Sequence, residues 1–136
     1  MPLTFRDVAA RLRLPPGATP HDRLAIDAGA FYMARQMAAW TAERPMQERW
    51  RLGLASYNAG LANILAAQRR CHGAAWWRHI EPCLSDVTGR HARETRGYVE
   101  RVPRHWRRFG GCEPLAAPRA LQEEWECRRN RNGNGA

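Results

Sequence analysis

Leu54-Ala55-Ser56-Tyr57-Asn58-Ala59-Gly60 closes a helix. Behind Pro45, a residue suited to opening a helix, Met46, Trp50, Leu54 and Tyr57 recur three or four residues apart, and Asn58-Ala59-Gly60 then breaks the pattern. A phenol and a carboxamide therefore stand at an abrupt helix terminus, a place that can face a cleft. Both groups can hydrogen-bond sugar hydroxyls and steady positive charge developing at an anomeric carbon. The same residues equally suit a tyrosine packed in a core and followed by a C-cap, so chemistry alone leaves the two readings open.

Working outward, Thr4 predicts the cap of a short helix to about Leu14, where Pro15, Pro16 and Gly17 forbid continuation. Thr19, Pro20 and Asp22 predict the next start, and Leu24, Ala28, Phe31 and Ala38 mark a core stripe to about Thr41, with Arg23 and Arg35 opposite. A further short helix is expected from Leu61 to Arg70. His72, Gly73 and the Trp76-Trp77 pair, with Pro82, Ser85 and Gly89, then predict an irregular region. The last strong helix is expected from about Arg90 to Phe109. Thr95, Tyr98, Val102, Trp106 and Phe109 are read as its buried stripe, and Arg93, Arg96, Arg101, Arg104, Arg107 and Arg108 as its wet face. Pro103 is expected to kink or divide it. No alternating run argues for a sheet, so the predicted fold class is all-α. Beyond Gly110, Leu121 and Trp125 with the acids between them suggest a short docked helix, and the polar ending is expected to be disordered.

A chain of 136 residues bounds the protein to a single domain with tails. All 22 cationic residues are Arg, and against 13 acids they give a formal charge of +9. This predicts attraction to polyanions, and nucleic acid, a phospholipid surface and the anionic bacterial wall all qualify. No window has the ~20 apolar residues of a membrane span, and no export signal opens the chain. The four cysteines, Cys71, Cys83, Cys112 and Cys127, allow three pairings and match no tight metal spacing, so no metal is expected. They fit free buried thiols or, in an oxidising compartment, local Cys71–Cys83 and Cys112–Cys127 bridges.

A second constellation, Glu94-Thr95-Arg96-Gly97-Tyr98-Val99, puts a carboxylate and a phenol one turn apart on a helix, which also suits sugar hydroxyls. The alternative is a surface Glu94 paired with Arg90 or Arg101. In this order Ala55-Ser56-Tyr57-Asn58-Ala59-Gly60 and Glu94-Thr95-Arg96-Gly97-Tyr98-Val99 resemble two motifs of the soluble lytic transglycosylase family, which has a goose-lysozyme-like helical fold. Ala28-Gly29-Ala30-Phe31-Tyr32 is similar to the family's helix before the Tyr-Asn segment, and Met1-Pro2-Leu3-Thr4 to the end of its Met-Pro-x-Thr stretch. The resemblance covers residues 1–109 and leaves 110–136 as a C-terminal extension.

The resemblance implies a lysozyme-like helical domain lacking its N-terminal catalytic helix. It implies peptidoglycan glycan strands as substrate, no cofactor, and cleavage of the bond between N-acetylmuramic acid and N-acetylglucosamine. In that chemistry one carboxyl group protonates the leaving oxygen, then as a base helps the muramic acid's C6 hydroxyl attack the anomeric carbon, giving a 1,6-anhydro product. Tyr57, Asn58, Gly60, Glu94 and Tyr98 become expected substrate-binding residues. The family's acid stands in a Glu-Ser pair ahead of the Met-Pro-x-Thr stretch, and no Glu-Ser pair occurs in this sequence. Glu43, Glu48, Glu81 and Glu100 are read as polar or loop positions, so Glu94 is the one catalytic candidate.

Two outcomes follow: a cleaving domain completed by an N-terminal segment or another chain, or a relative that binds the wall without cutting. In the first, Phe5, Phe31, Tyr32 and Trp50 are expected to be exposed. The site of action implied is the bacterial periplasm or envelope, or a phage virion serving lysis. A basic helical nucleic-acid binder is the reading from a different class. The arginines of 101–108 would suit phosphates, but no motif for specific reading is present.

Overall fold

The computed structural model describes residues 2–111, with side chains from Phe5 onward. The expected Cys112–Cys127 bridge, the docked helix around Leu121 and Trp125, and the polar ending lie outside the described residues. The order is α1 (Pro2–Arg11), α2 (Leu24–Ala38), α3 (Met46–Ala59), α4 (Leu61–Arg70), α5 (Trp77–Ile80), a 3-10 turn (Glu81–Leu84), α6 (Ser85–Thr88), a second 3-10 turn (Gly89–His91) and α7 (Ala92–Arg108). The fold is all-α, with no strand among the described residues.

α3 is the axis, with α2, α4 and α7 all packed against it. Leu52, Gly53, Leu54, Ala55 and Ser56 are all buried, so this part of the helix has no wet face. That explains why the Met46, Trp50, Leu54, Tyr57 stripe misleads. Met46 is exposed, Trp50 and Tyr57 are half-buried, and the deep positions include Glu48, Leu52, Ala55 and Ser56. A helix covered on several sides loses its amphipathic signature. Around it Ile64 and Ala67 of α4, Ile80, Leu84, and Ala92 and Val99 of α7 complete one core. Burial of each large aliphatic side chain there contributes about 1.5–3 kcal/mol.

Gly53 sets the approach of α2. A Cβ at Gly53 would overlap the Met37 side chain and come within 3.4 Å of the Met37 Cα. Just past α2, buried Trp40 donates its indole N–H to the buried Ser56 hydroxyl at 3.1 Å, pinning the end of that helix to α3. One turn further on, at the C-terminal end of α3, Gly60 takes φ +89° and ψ 136°, which a side chain would strain, and α4 starts at once.

Several boundaries differ from expectation. α1 begins at Pro2, with Thr4 already inside it. α2 begins at Leu24, because the capping chemistry is used in the preceding turn: Asp22 accepts the Thr19 N–H at 2.7 Å and Thr19 Oγ1 accepts the His21 N–H at 3.3 Å. Pro103 does not divide α7. It is buried within the helix, where its missing N–H removes one intrahelical donor while its ring adds to the packed face. The buried residues of α7 are Ala92, Thr95, Val99 and Pro103. Trp106 and Phe109 are 51% and 81% exposed, because the buried stripe of α7 ends at Pro103 and Trp106 reaches only the rim of the packed face. Phe5, Phe31, Tyr32 and Trp50 are half-buried rather than exposed, since the helices cover them in part.

The 71–91 segment is short turns and helices, so its backbone holds little by itself, and three side-chain ties fix it. Cys71–Cys83 joins the end of α4 to the first 3-10 turn across 12 residues, a closure that stabilises by about 3 kcal/mol on chain-entropy grounds. Arg96, expected on the wet face, is half-buried. It pairs with Glu81 at 2.7 Å and donates to the Glu81 carbonyl and the Ser85 hydroxyl. The third tie is Glu48.

Replacing Gly53 with Ala should lower stability by about 1–3 kcal/mol through overpacking, read from the urea midpoint. An unchanged midpoint would show that Met37 yields freely and that the close approach is no constraint.

Candidate functional site

The two ends that carry the quoted motifs meet. Gly60 stops α3 just after Asn58, and the turns before α7 bring Glu94 and Thr95 in its first turn opposite that end. Thr95 donates its hydroxyl proton to Asn58 Oδ1 at 2.8 Å, and Asn58 Nδ2 donates to Glu94 Oε1 at 3.3 Å. The carboxylate can only accept, so it selects the amide edge of Asn58 and leaves the carbonyl edge for Thr95. Buried Thr95 thus fixes the orientation of a side chain 37 positions away.

This trio opens into a polar recess of about 320 Å³, at the small end of the ~300–1,000 Å³ of ligand sites, with Asn63, Thr88 and His91 on its wall. Glu94 is exposed there. Asn63 donates to the Ala59 carbonyl at 2.8 Å, satisfying an end group of α3.

Tyr57 and Tyr98 take the other side of the same seam. Their rings are parallel with centroids 6.2 Å apart, and Tyr32 meets Tyr57 edge-on at 5.3 Å. They line an apolar recess of about 330 Å³ with Met33, Trp50, Leu54 and Trp106. The Tyr57 hydroxyl lies toward α2, where a Cβ on Gly29 would be 3.5 Å away. Tyr57 and Glu94, both expected to bind substrate, therefore line two separate recesses. Consecutive residues of a helix point about 100° apart, so Tyr57 and Asn58 face different neighbours. Gly60, expected to touch substrate, is the junction that ends α3.

Burial first, and Tyr57 second, push the Tyr98 phenol above the usual tyrosine range.

Glu48, an ordinary polar position by sequence, is buried, 3% exposed. One oxygen accepts from Arg51 at 2.8 Å and the other accepts the Trp77 backbone N–H at 2.8 Å. Nothing in its sequence neighbourhood signals this, because Trp77 lies 29 positions away. Its oxygens are committed to holding the start of α5, and it does not line the polar recess. Among the described residues no group of three or more His, Cys, Asp or Glu could hold a metal ion. No described helix is long and apolar enough to cross a membrane.

Compared with protein-family models, with curated proteins and with solved structures, the chain matches none.

Two measurements separate structural from site roles. Glu48→Ala should cost about 3 kcal/mol, because it strands a buried N–H and breaks a charged contact, whereas Glu94→Gln at an exposed position should stay within about 0.5 kcal/mol. Equal losses in thermal melts would put Glu94 among the structural residues. Tyr98 gives a pH signature. A phenol whose folded value is raised contributes stability that is full below the unfolded value of about 10 and is lost as pH rises through the folded value. Tyr98→Phe should therefore flatten the fall of Tm above about pH 10, and an identical alkaline fall in both proteins would remove Tyr98 as its source.

Proposed function

We propose that this chain is a lytic-transglycosylase-type domain, lysozyme-like in architecture, that holds peptidoglycan glycan strands at the seam between α3 and α7. The observation that carries the reading is the contact of Asn58 with Glu94, two residues 36 positions apart, at the mouth of an open polar recess. A carboxamide held by Thr95 and a carboxylate held by that carboxamide present acceptors and donors at fixed angles, the arrangement sugar hydroxyls require. Tyr57 and Tyr98 contribute an apolar wall on the far side of the seam. The Cys71–Cys83 bridge fits an oxidising workplace such as the periplasm or envelope, or a virion product acting in phage lysis.

Cleavage of the bond between N-acetylmuramic acid and N-acetylglucosamine with an anhydro product needs one carboxyl group that first gives and then takes a proton. Glu94 is the carboxyl group at the recess. Binding without cleavage is the second reading, and a specific observation favours it: Glu94 is exposed rather than enclosed, and the buried Glu48 is tied to Arg51 and Trp77.

Purified protein incubated with peptidoglycan sacculi should co-sediment with them, Asn58→Ala should weaken that binding on the order of tenfold through loss of paired hydrogen bonds, and little anhydro-muropeptide should appear. Abundant anhydro product that disappears in Glu94→Gln would make Glu94 the general acid. Absence of binding to sacculi would end the glycan reading.

A further inference from the structure

The last two turns of α7 combine positive charge with exposed aromatic surface. Residues 101–109 read Arg-Val-Pro-Arg-His-Trp-Arg-Arg-Phe, with four arginines and no acid. From 104 to 109 every residue is exposed, Phe109 at 81% and Trp106 at 51%. A large aromatic side chain left that open at the end of a cationic helix has no role in the core, which ends at Pro103.

We propose that this helix end docks the protein on an anionic phospholipid surface, with Phe109 entering the interface beside Trp106 and Arg104, Arg107 and Arg108 lying over lipid phosphates. The pattern is that of interfacial helices: aromatic residues at the polar–apolar boundary, guanidinium groups whose stems reach across apolar surface, and no acid to oppose a negative layer. The helix terminus adds to the effect, since its carbonyl end is the one that favours cations around it. Shape separates this partner from nucleic acid, which also supplies phosphates. Stacking platforms for single strands sit in grooves that track the backbone, whereas Phe109, 81% exposed, lines none of the recesses described above, which suits a flat layer. The inference is independent of the glycan reading, because it uses neither Asn58 nor Glu94.

The test is co-sedimentation of the full chain with vesicles of phosphatidylglycerol and phosphatidylcholine, compared with phosphatidylcholine alone. Binding should require the anionic lipid and fall with added salt. It should weaken roughly fivefold in each of Arg104→Gln and Arg108→Gln and on the order of tenfold in Phe109→Ala. Phe109 and these arginines are exposed, so the variants should keep the circular dichroism and melting temperature of the parent. No preference for anionic vesicles at low salt would overturn the proposal. So would Phe109→Ala binding that equals the parent at every salt concentration, which would reduce the contact to charge alone. Displacement from the vesicles by a single-stranded oligonucleotide, with oligonucleotide binding weakened by Phe109→Ala, would assign the surface to nucleic acid instead.

Discussion

The absent side chain at Gly53 is the constraint on which the helical assembly rests. A Cβ there would overlap the Met37 side chain, so the close seating of α2 on α3 depends on its absence, and the Trp40–Ser56 hydrogen bond fastens the end of that contact. Small residues at Gly53, Ala55 and Ser56 leave α3 thin enough to be surrounded, while Leu52 and Leu54 on the same stretch supply the apolar area that makes burial worthwhile. One helix thus serves as the inner face of three packings at once.

The 71–91 segment obeys a different rule. Its helices and turns are four residues or fewer, too short to be stable alone. What orders it is a set of specific ties: a disulfide to α4, Arg96 from α7, and the Glu48 carboxylate from α3 on the first turn of α5. A buried carboxylate is costly unless its oxygens are satisfied, and Glu48 meets that condition with one guanidinium and one backbone N–H. Exposed pairs such as Asp7 with Arg11 and Arg35 add at most about 1 kcal/mol and merely trim the fit of α1 to α2.

Because the segment is tied on three sides, α7 starts at a defined place, and this positions the candidate site. The Asn58 amide orientation depends on Thr95, buried in the first turn of α7, and the Glu94 contact follows from it. The site is therefore a product of the packing of α3 on α7 and carries little stability of its own. Its polar half faces solvent at a recess, while its phenol half belongs to the aromatic cluster of Tyr32, Tyr57 and Tyr98.

The sequence by itself determined the all-α class, the α3–Gly60–α4 junction, and the α4 limits from Leu61 to Arg70, because these rest on local rules: apolar periodicity, and a glycine free to take positive φ. The Cys71–Cys83 bridge was one of the pairings left open, and spatial proximity selected it. Tertiary structure alone decided the rest. Glu48 reads as polar in sequence and becomes buried because Trp77, far along the chain, brings a donor to it. Trp106 and Phe109 continue an apolar helical stripe in sequence and become exposed because the packed part of α7 ends at Pro103. Tyr57 and Asn58 are neighbours in the chain and part company in space, since a helix turns about 100° per residue and their two directions meet different partners. Periodicity states which side chains share a face, and only the packing of other helices states which face is covered.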